Sequence, residues 1–374
     1  MPLRSNTTLL SQFLEMKDLR LIFWETTRAC NLECPHCRAS AEKRRSRDEL
    51  TTQEAKRFID SAASFSKPIL VFSGGEALVR EDIYELIRYA TNAGLKSTLA
   101  SNASLITLDI AKRLKESGIK VVAVSVYGSS ANAHDAFCGQ KGAFEKSLAG
   151  IENIKAAGMG LQINTTITKR NLSELEAIGQ FALAQGAASY HIFFLVPVGR
   201  GKAIEGDEIT PQEYEDAFNR LYDFKAKAPL HIKPTCAPHY YRVIRQRDAN
   251  ARECAPQKTH NSANVGESAF HEMTKGCLAG QGVCFVSSKG EVFGCGYLPV
   301  KAGDLRNQDF KTIWFESELF KALRDDTKLE GRCGVCEFKK VCGGCRARAY
   351  STTGDYLQEE PYCVYTPLKR EAVY

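Results

Sequence analysis

Over the N-terminal half of the chain, short apolar runs alternate with longer stretches whose apolar positions recur every three to four residues. The runs Leu21 to Trp24, Ile69 to Phe72, Leu95 to Ala100, Val121 to Val126, Leu161 to Ile167 and Tyr190 to Val196 have the length of buried strands. Between them, Thr52 to Ser64, Ile83 to Ala93, Leu108 to Ser117, Ala143 to Ala157 and Leu172 to Gln185 read as amphipathic helices. Repeated βα units imply a parallel sheet joined by right-handed crossovers. After Val196 the alternation stops. A polar linker leads into a helix from about Pro211 to Lys227, and the stretch Asp248 to Glu267 has little apolar periodicity and is expected to be a long loop or lid.

The 374 residues suffice for one large βα domain and a smaller second one. A formal charge of +6, spread along the chain, favours an anionic small substrate over nucleic acid. No run approaches membrane-spanning length and the first residues carry no apolar, cleavable core, so a cytoplasmic protein is expected. In that compartment the fourteen cysteines are not expected to form disulfides; at short spacings they read as metal ligands.

Three of them, Cys30, Cys34 and Cys37, stand in Thr27-Arg-Ala-Cys-Asn-Leu-Glu-Cys-Pro-His-Cys37. A four-iron cluster normally takes four cysteine thiolates, so three leave one iron with an open coordination site. Half of a zinc site completed elsewhere is the other reading of three close cysteines. Downstream, the apolar run ending at Phe72 leads into Ser73-Gly74-Gly75-Glu76, where a glycine pair lets backbone approach a ligand closely. Together the C-x3-C-x2-C triplet and this segment resemble the radical S-adenosylmethionine (SAM) enzymes. The resemblance implies that the amine and carboxylate of SAM complete the coordination of the Cys30, Cys34 and Cys37 cluster. It implies that Gly74, Gly75 and Glu76 meet the SAM amino group, and that the fold is α/β, a partial (βα)6 TIM-like barrel over residues 20–230. Chemistry then lies at the carboxyl ends of the strands. Asn102 and Ser125 stand where the family often has Thr-Asn-Gly and Ser-x-Asp-Gly, and are carried over as SAM contacts, although Ala103 replaces the glycine and Tyr127 the aspartate. Both could instead cap a turn. Asn164 either points into the barrel or is structural.

Past the sixth strand, Arg200 and Lys202 lie in a basic glycine-containing loop at the expected barrel mouth, where they either clamp a carboxylate or are solvated. The linker 231–275 follows, with Cys236, His239, Tyr240, Tyr241 and Arg242 in quick succession. From Cys277 onward come eight cysteines, two sets of four. The run Cys333-x2-Cys336-x5-Cys342-x2-Cys345 followed by Cys363 resembles the SPASM extension, which holds auxiliary [4Fe-4S] clusters; the last gap of the run is one residue shorter than usual. The resemblance implies a SPASM domain over 276–374 with interleaved ligands. Cys333, Cys336, Cys342 and Cys363 bind one cluster, and Cys345 joins Cys277, Cys295 and Cys284 on the other. Structural zinc is the alternative for the later four. Cys138, Cys236 and Cys254 are left over, Cys138 as a small buried hydrophobe.

The strings Ile163-Asn-Thr-Thr-Ile167, Leu195-Val-Pro-Val-Gly-Arg-Gly201, Thr235-Cys-Ala-Pro-His-Tyr240, Gly276-Cys-Leu-Ala-Gly280 and Val341-Cys-Gly-Gly-Cys-Arg-Ala-Arg-Ala349 look like those of the haem synthases of the sirohaem-derived haem pathway. That resemblance implies one radical SAM cluster and two auxiliary clusters. It also implies a 5′-deoxyadenosyl radical that starts decarboxylation of two propionates of iron-coproporphyrin III to vinyl groups, giving haem b. The surplus electron calls for an acceptor, and the auxiliary clusters can carry it. The expected partners are the iron-porphyrin and a small electron donor such as ferredoxin or flavodoxin, with the protein a monomer. Arg200, Lys202 and Arg242 are expected to face the propionates, and His239 to contact the iron or the porphyrin edge. A deacetylase of a sirohaem derivative, a SPASM-type peptide modifier and a non-catalytic iron-sulfur electron carrier are the competing readings. The short segment 1–19 speaks against an added peptide-binding domain, and the open three-cysteine site against a mere carrier.

Overall fold

The computed structural model describes residues 19–254 and 276–368. The expected N-terminal segment, except Leu19, and most of the expected loop over Asp248–Glu267 lie outside the described residues. Ten strands are present among those described: β1 (Leu21–Glu25), β2 (Ile69–Ser73), β3 (Lys96–Ser101), β4 (Val121–Ser125), β5 (Gly160–Ile167), β6 (Ser189–Phe194), β7 (His231–Thr235), β8 (Val283–Val286), β9 (Glu291–Phe293) and β10 (Lys301–Asp304). The helices are α1 (Thr52–Phe65), α2 (Ile83–Asn92), α3 (Leu108–Ser117), α4 (Ala131–Cys138), α5 (Ala143–Ala156), α6 (Leu175–Ala184), α7 (Pro211–Lys225), α8 (Tyr240–Cys254), α9 (Phe310–Glu316), α10 (Glu318–Arg324), α11 (Gly331–Val335) and α12 (Arg346–Thr353). Among the described residues no helix is long and apolar enough to cross a membrane.

The helices start where local chemistry satisfies their first N–H groups. Thr51 and Glu54 form a reciprocal capping box on α1, and Thr210 and Glu213 repeat it on α7 with Pro211 at the first helical position. α3 stops at Gly118, which takes φ 114°. The expected loop from Asp248 begins as helix, because α8 continues to Cys254.

The chain divides into two compact units, and compactness does not follow motif content. One unit takes the chain up to Ser125 together with Glu145–Leu161 and Leu278–Arg324; the other takes Val126–Phe144, Gln162–Cys277 and the residues from Asp325. In the first, β1 to β4 run parallel side by side, β8 adds to β1 in parallel, and β9 and β10 extend that edge antiparallel. Its core forms where Trp24, fully buried, packs on Phe72 and on Phe58 of α1, and Phe58 meets Phe310 of α9 edge to face at 5.1 Å. Buried Arg80 donates to the Thr26 and Leu50 carbonyls (2.8 and 3.0 Å) and pairs with Asp82, fastening the loop after β1.

In the second unit β5, β6 and β7 are parallel neighbours. β7 is a strand beyond the six that the apolar runs predict. Its sequence His-Ile-Lys-Pro-Thr interrupts the apolar pattern with Lys233 and Pro234, so periodicity alone does not reveal it. Behind these strands Phe194, Tyr214, Phe218 and Tyr240 make an aromatic core. Buried Arg348 of α12 lies over Tyr214 and donates to the Leu195 and Cys236 carbonyls (3.0 and 2.6 Å), joining the ends of β6 and β7 to the C-terminal segment.

Candidate functional site

After β1 the chain turns through Thr26–Ala29 into the loop that carries Cys30, Cys34 and Cys37, and the glycine pair after β2 lies directly against this turn. The Gly75 N–H donates to the Thr27 carbonyl and the Glu76 N–H to the Ala29 carbonyl, both at 2.8 Å. A Cβ on Gly74 would stand 2.3 Å from the Thr27 oxygen, and one on Gly75 2.3 Å from the Ala29 oxygen. The close approach that the glycines permit is therefore to the chain's own cysteine loop. That loop is closed by hydrogen bonds from the Cys30 N–H to the Glu42 carbonyl (2.8 Å) and from the Glu42 N–H to the Arg28 carbonyl (2.9 Å). Inside it, Cys34 and Cys37 pack against buried Cys30, Leu32 and Ala41, which brings the three thiols together. Amide N–H groups point at two of the sulfurs, Leu32 at Cys30 (3.3 Å) and Ala41 at Cys37 (3.5 Å). Burial pushes the Cys30 thiol up to about 12, a cost that a bound cationic cluster offsets. Three thiols with amide donors and no fourth thiol in the loop fit a cluster with one open iron.

Glu76 is wholly buried. Its carboxylate accepts from the Ser101 hydroxyl (2.9 Å) and from the Asn102 and Leu78 N–H groups (2.9 and 3.3 Å), and burial raises its pKa against these bonds. It thus ties the end of β2 to the end of β3. The Asn102 side chain in turn donates to Asn31 at 2.9 Å, beside the Cys30 sulfur at 3.9 Å, and accepts from Ser104. Gly74, Gly75, Glu76 and Asn102 are in this way gathered next to the cysteine loop. Ala103, where the resemblance expects glycine, takes φ 60°, so the left-handed turn is kept without its usual residue. Ser125 ends β4, half-buried. Arg38, one residue past Cys37, pairs with Glu25 at 2.8 Å, lies over Phe285 and reaches the Gly296 carbonyl at 3.5 Å, so it spans from the cysteine loop to the turn that holds Cys295.

In the second unit Cys333, Cys336, Cys342 and Cys363 line one cavity, partly open to solvent, together with His239, Arg242 and Glu360. Amides again face sulfur: the Gly344 N–H lies 3.4 Å from Cys342 and the Glu360 N–H 3.3 Å from Cys333. His239 is 1 % exposed and neither ring nitrogen has a partner. Four thiols, amide donors and an orphaned buried imidazole fit an iron-sulfur cluster at this cavity. No three His, Cys, Asp or Glu side chains among the described residues converge as the ligands of a single metal ion do.

Other expected residues stand elsewhere. Cys284 lies in β8 in register with Ile22, fully buried, on the face that Ile22 and Trp24 turn toward α1. Its neighbour Phe285 occupies the opposite face, under Arg38. The SPASM resemblance places Cys284 among the ligands; in the structure strand alternation turns its side chain toward α1. Cys236, left over by the spacing, instead lies beside Cys345, whose thiol it holds below its ordinary pKa by a hydrogen bond. The Gly276–Cys277 segment lies against both neighbouring stretches: a Cβ on Gly276 would stand 2.7 Å from Pro238, and the Cys277 N–H donates to the Cys342 carbonyl at 3.2 Å. Arg242 and His239 line the cysteine cavity. The Arg242 guanidinium is ion-paired with Glu215 and bonded to Gln246 (2.6 Å), and His239 is enclosed by Tyr214 and Phe218. Arg200 is half-buried and Lys202 exposed, both in the helical turns Gly199–Asp207 after β6.

A polar strand face escaped sequence reasoning. Register puts Asn164 beside His191 and His191 beside Lys233, with Gln162, Ser189 and His231 in the adjoining row, all half-buried. Gln162 donates to Asn164 (2.7 Å) and contacts His191 (3.1 Å). Burial lowers the pKa of Lys233, and burial with Lys233 and His231 nearby takes His191 to about 3. The alternation of polar residues in Gln162-x-Asn164, Ser189-x-His191 and His231-x-Lys233 was the available signal.

The Radical SAM superfamily profile matches residues 24–182, and that of the SPASM iron-sulfur cluster-binding domain matches residues 277–345. The chain belongs to the SPASM-bearing radical SAM enzymes; it is an α/β radical SAM enzyme that uses SAM and iron-sulfur clusters. It is 50% identical to the AdoMet-dependent heme synthase of Methanosarcina barkeri over 94% of this chain and 98% of that protein. It is 46% identical to the AdoMet-dependent heme synthase of Oleidesulfovibrio alaskensis over 94% of this chain and 89% of that one. Among solved structures, Streptococcus suis SuiB bound to the precursor peptide SuiA shares the fold at a TM-score of 0.71 and 17% identity, over 95% of this chain and 79% of that one.

Gly75→Ala tests the packing of the two motifs. Its Cβ must displace the Arg28 and Ala29 carbonyls, an overpacking cost of about 1–3 kcal/mol. SAM affinity, by equilibrium dialysis on the anaerobically reconstituted protein, is expected to fall about tenfold to a hundredfold. Unchanged affinity would mean the loop does not depend on this contact.

Proposed function

We propose that this protein decarboxylates two propionates of iron-coproporphyrin III to vinyl groups, giving haem b. The observation that carries the reading is the near full-length identity, 46–50%, to three relatives named AdoMet-dependent heme synthase. The motif set and the polar strand face that carries Lys233 support it. Bound together, SAM and the Cys30, Cys34 and Cys37 cluster supply a carbon radical able to abstract hydrogen from a propionate. The chain's own residues position and enclose. Glu76 and Asn102 fix the segment that meets the SAM amine, and Ser125 is a further contact. Lys233, flanked by His191 and His231, offers a half-buried ammonium to a propionate carboxylate, which is costly to desolvate without a cation; Arg200 and Lys202 are available to the same anion.

Two auxiliary clusters accept the surplus electron in this reading, one on Cys333, Cys336, Cys342 and Cys363. The other takes Cys345, Cys277 and Cys236, with Cys295 keeping the role that the SPASM resemblance gives it. Residues 20–230 then act as the catalytic barrel and 276–374 as the cluster extension of a cytoplasmic monomer fed by a small electron donor.

Anaerobic incubation with SAM, reductant and iron-coproporphyrin III, followed by mass spectrometry, is expected to yield the singly decarboxylated porphyrin and then haem b. In the same assay Lys233→Met is expected to need about tenfold to a hundredfold more porphyrin, the loss of a charge-assisted hydrogen bond worth about 1.5–3 kcal/mol. SAM cleavage with an unchanged porphyrin mass contradicts the proposal.

Iron content tests the cluster set. Wild-type protein is expected to hold about twelve irons, roughly four per cluster. Cys284→Ser should keep them all, whereas Cys236→Ser should fall to about eight. The reverse pattern would restore Cys284 as the ligand.

A further inference from the structure

We propose that His239 tunes the reduction potential of the cluster held by Cys333, Cys336, Cys342 and Cys363, by donating a ring N–H to one of its sulfurs. The inference rests on reading that cavity as a cluster site. His239 lines the cavity with the four cysteines. It is 1 % exposed, and neither nitrogen meets a protein partner, a state that costs free energy unless something in the cavity completes it. Tyr214 and Phe218 hold the ring at centroid distances of 5.5 and 4.7 Å, so it does not swing out to water.

An imidazole carries at least one ring N–H. A sulfur atom supplies the missing acceptor. The other polar groups on the cavity wall are engaged already, apart from Arg242 Nε. The Arg242 terminal nitrogens are held by Glu215 and Gln246, Arg332 by Glu359, and Glu360 accepts from the Cys345 N–H at 2.7 Å. A hydrogen bond to cluster sulfur favours the reduced, more negative state and raises the potential. Loss of the imidazole should lower it.

The test is an EPR-monitored redox titration of the reconstituted full chain. Cys333→Ala identifies the signal of this cluster by its disappearance. His239→Leu is expected to keep the wild-type iron content but to move the midpoint of that signal to a more negative potential. His239→Gln, which retains an N–H donor, should stay near wild type. An unchanged midpoint in His239→Leu overturns the tuning role, and so does iron loss in both variants, which would make His239 a ligand or a structural residue. If no signal disappears in Cys333→Ala, it is the cluster reading of the cavity that fails, and the proposal falls with it.

Discussion

The contact on which the first unit depends is between two pieces of backbone. Gly74 and Gly75, at the end of β2, touch Thr27 to Ala29, at the start of the cysteine loop, so closely that no side chain fits between them. Two 2.8 Å hydrogen bonds lock that contact, and Glu76, the next residue, reaches across to the end of β3. The three elements that the chemistry needs in one place are thereby fixed on strand ends rather than on mobile loops. Preorganisation of this kind is what a rigid scaffold contributes to a cofactor that does the bond breaking itself.

The second unit is organised around a buried cation instead. Arg348 binds the carbonyls of Leu195 and Cys236 and lies near the carboxylates of Glu208 and Glu360, 3.6 Å from each. A charge buried this deeply is tolerated only when paired and hydrogen-bonded. Satisfying it draws together the ends of β6 and β7 and the C-terminal cysteine segment. The cavity lined by Cys333, Cys336, Cys342 and Cys363 forms in that setting.

Much of this was legible in the sequence. Apolar runs found six of the strands, and the C-x3-C-x2-C and glycine motifs picked out two segments that the structure packs against each other. The resemblance groups Cys333, Cys336, Cys342 and Cys363, and in the structure these four line one cavity. Side-chain direction was not legible. Cys284, a ligand by resemblance, faces the helix layer from a strand, and Cys236, which no motif includes, lies against Cys345. Lys233 was hidden in a strand that a proline and two polar residues disguise. His239 and Arg242 stand in a short run of reactive side chains whose surroundings the sequence does not show; in the structure both line the cysteine cavity, and Arg242 is ion-paired with Glu215.

In the proposed function the radical made with SAM takes hydrogen from a propionate side chain. The direct measurement uses iron-coproporphyrin III deuterated at the β carbons of its propionates, with mass spectrometry of the 5′-deoxyadenosine formed. Deuterium appearing in 5′-deoxyadenosine in step with vinyl formation is the predicted result. Formation of the vinyl product alongside unlabelled 5′-deoxyadenosine would contradict it.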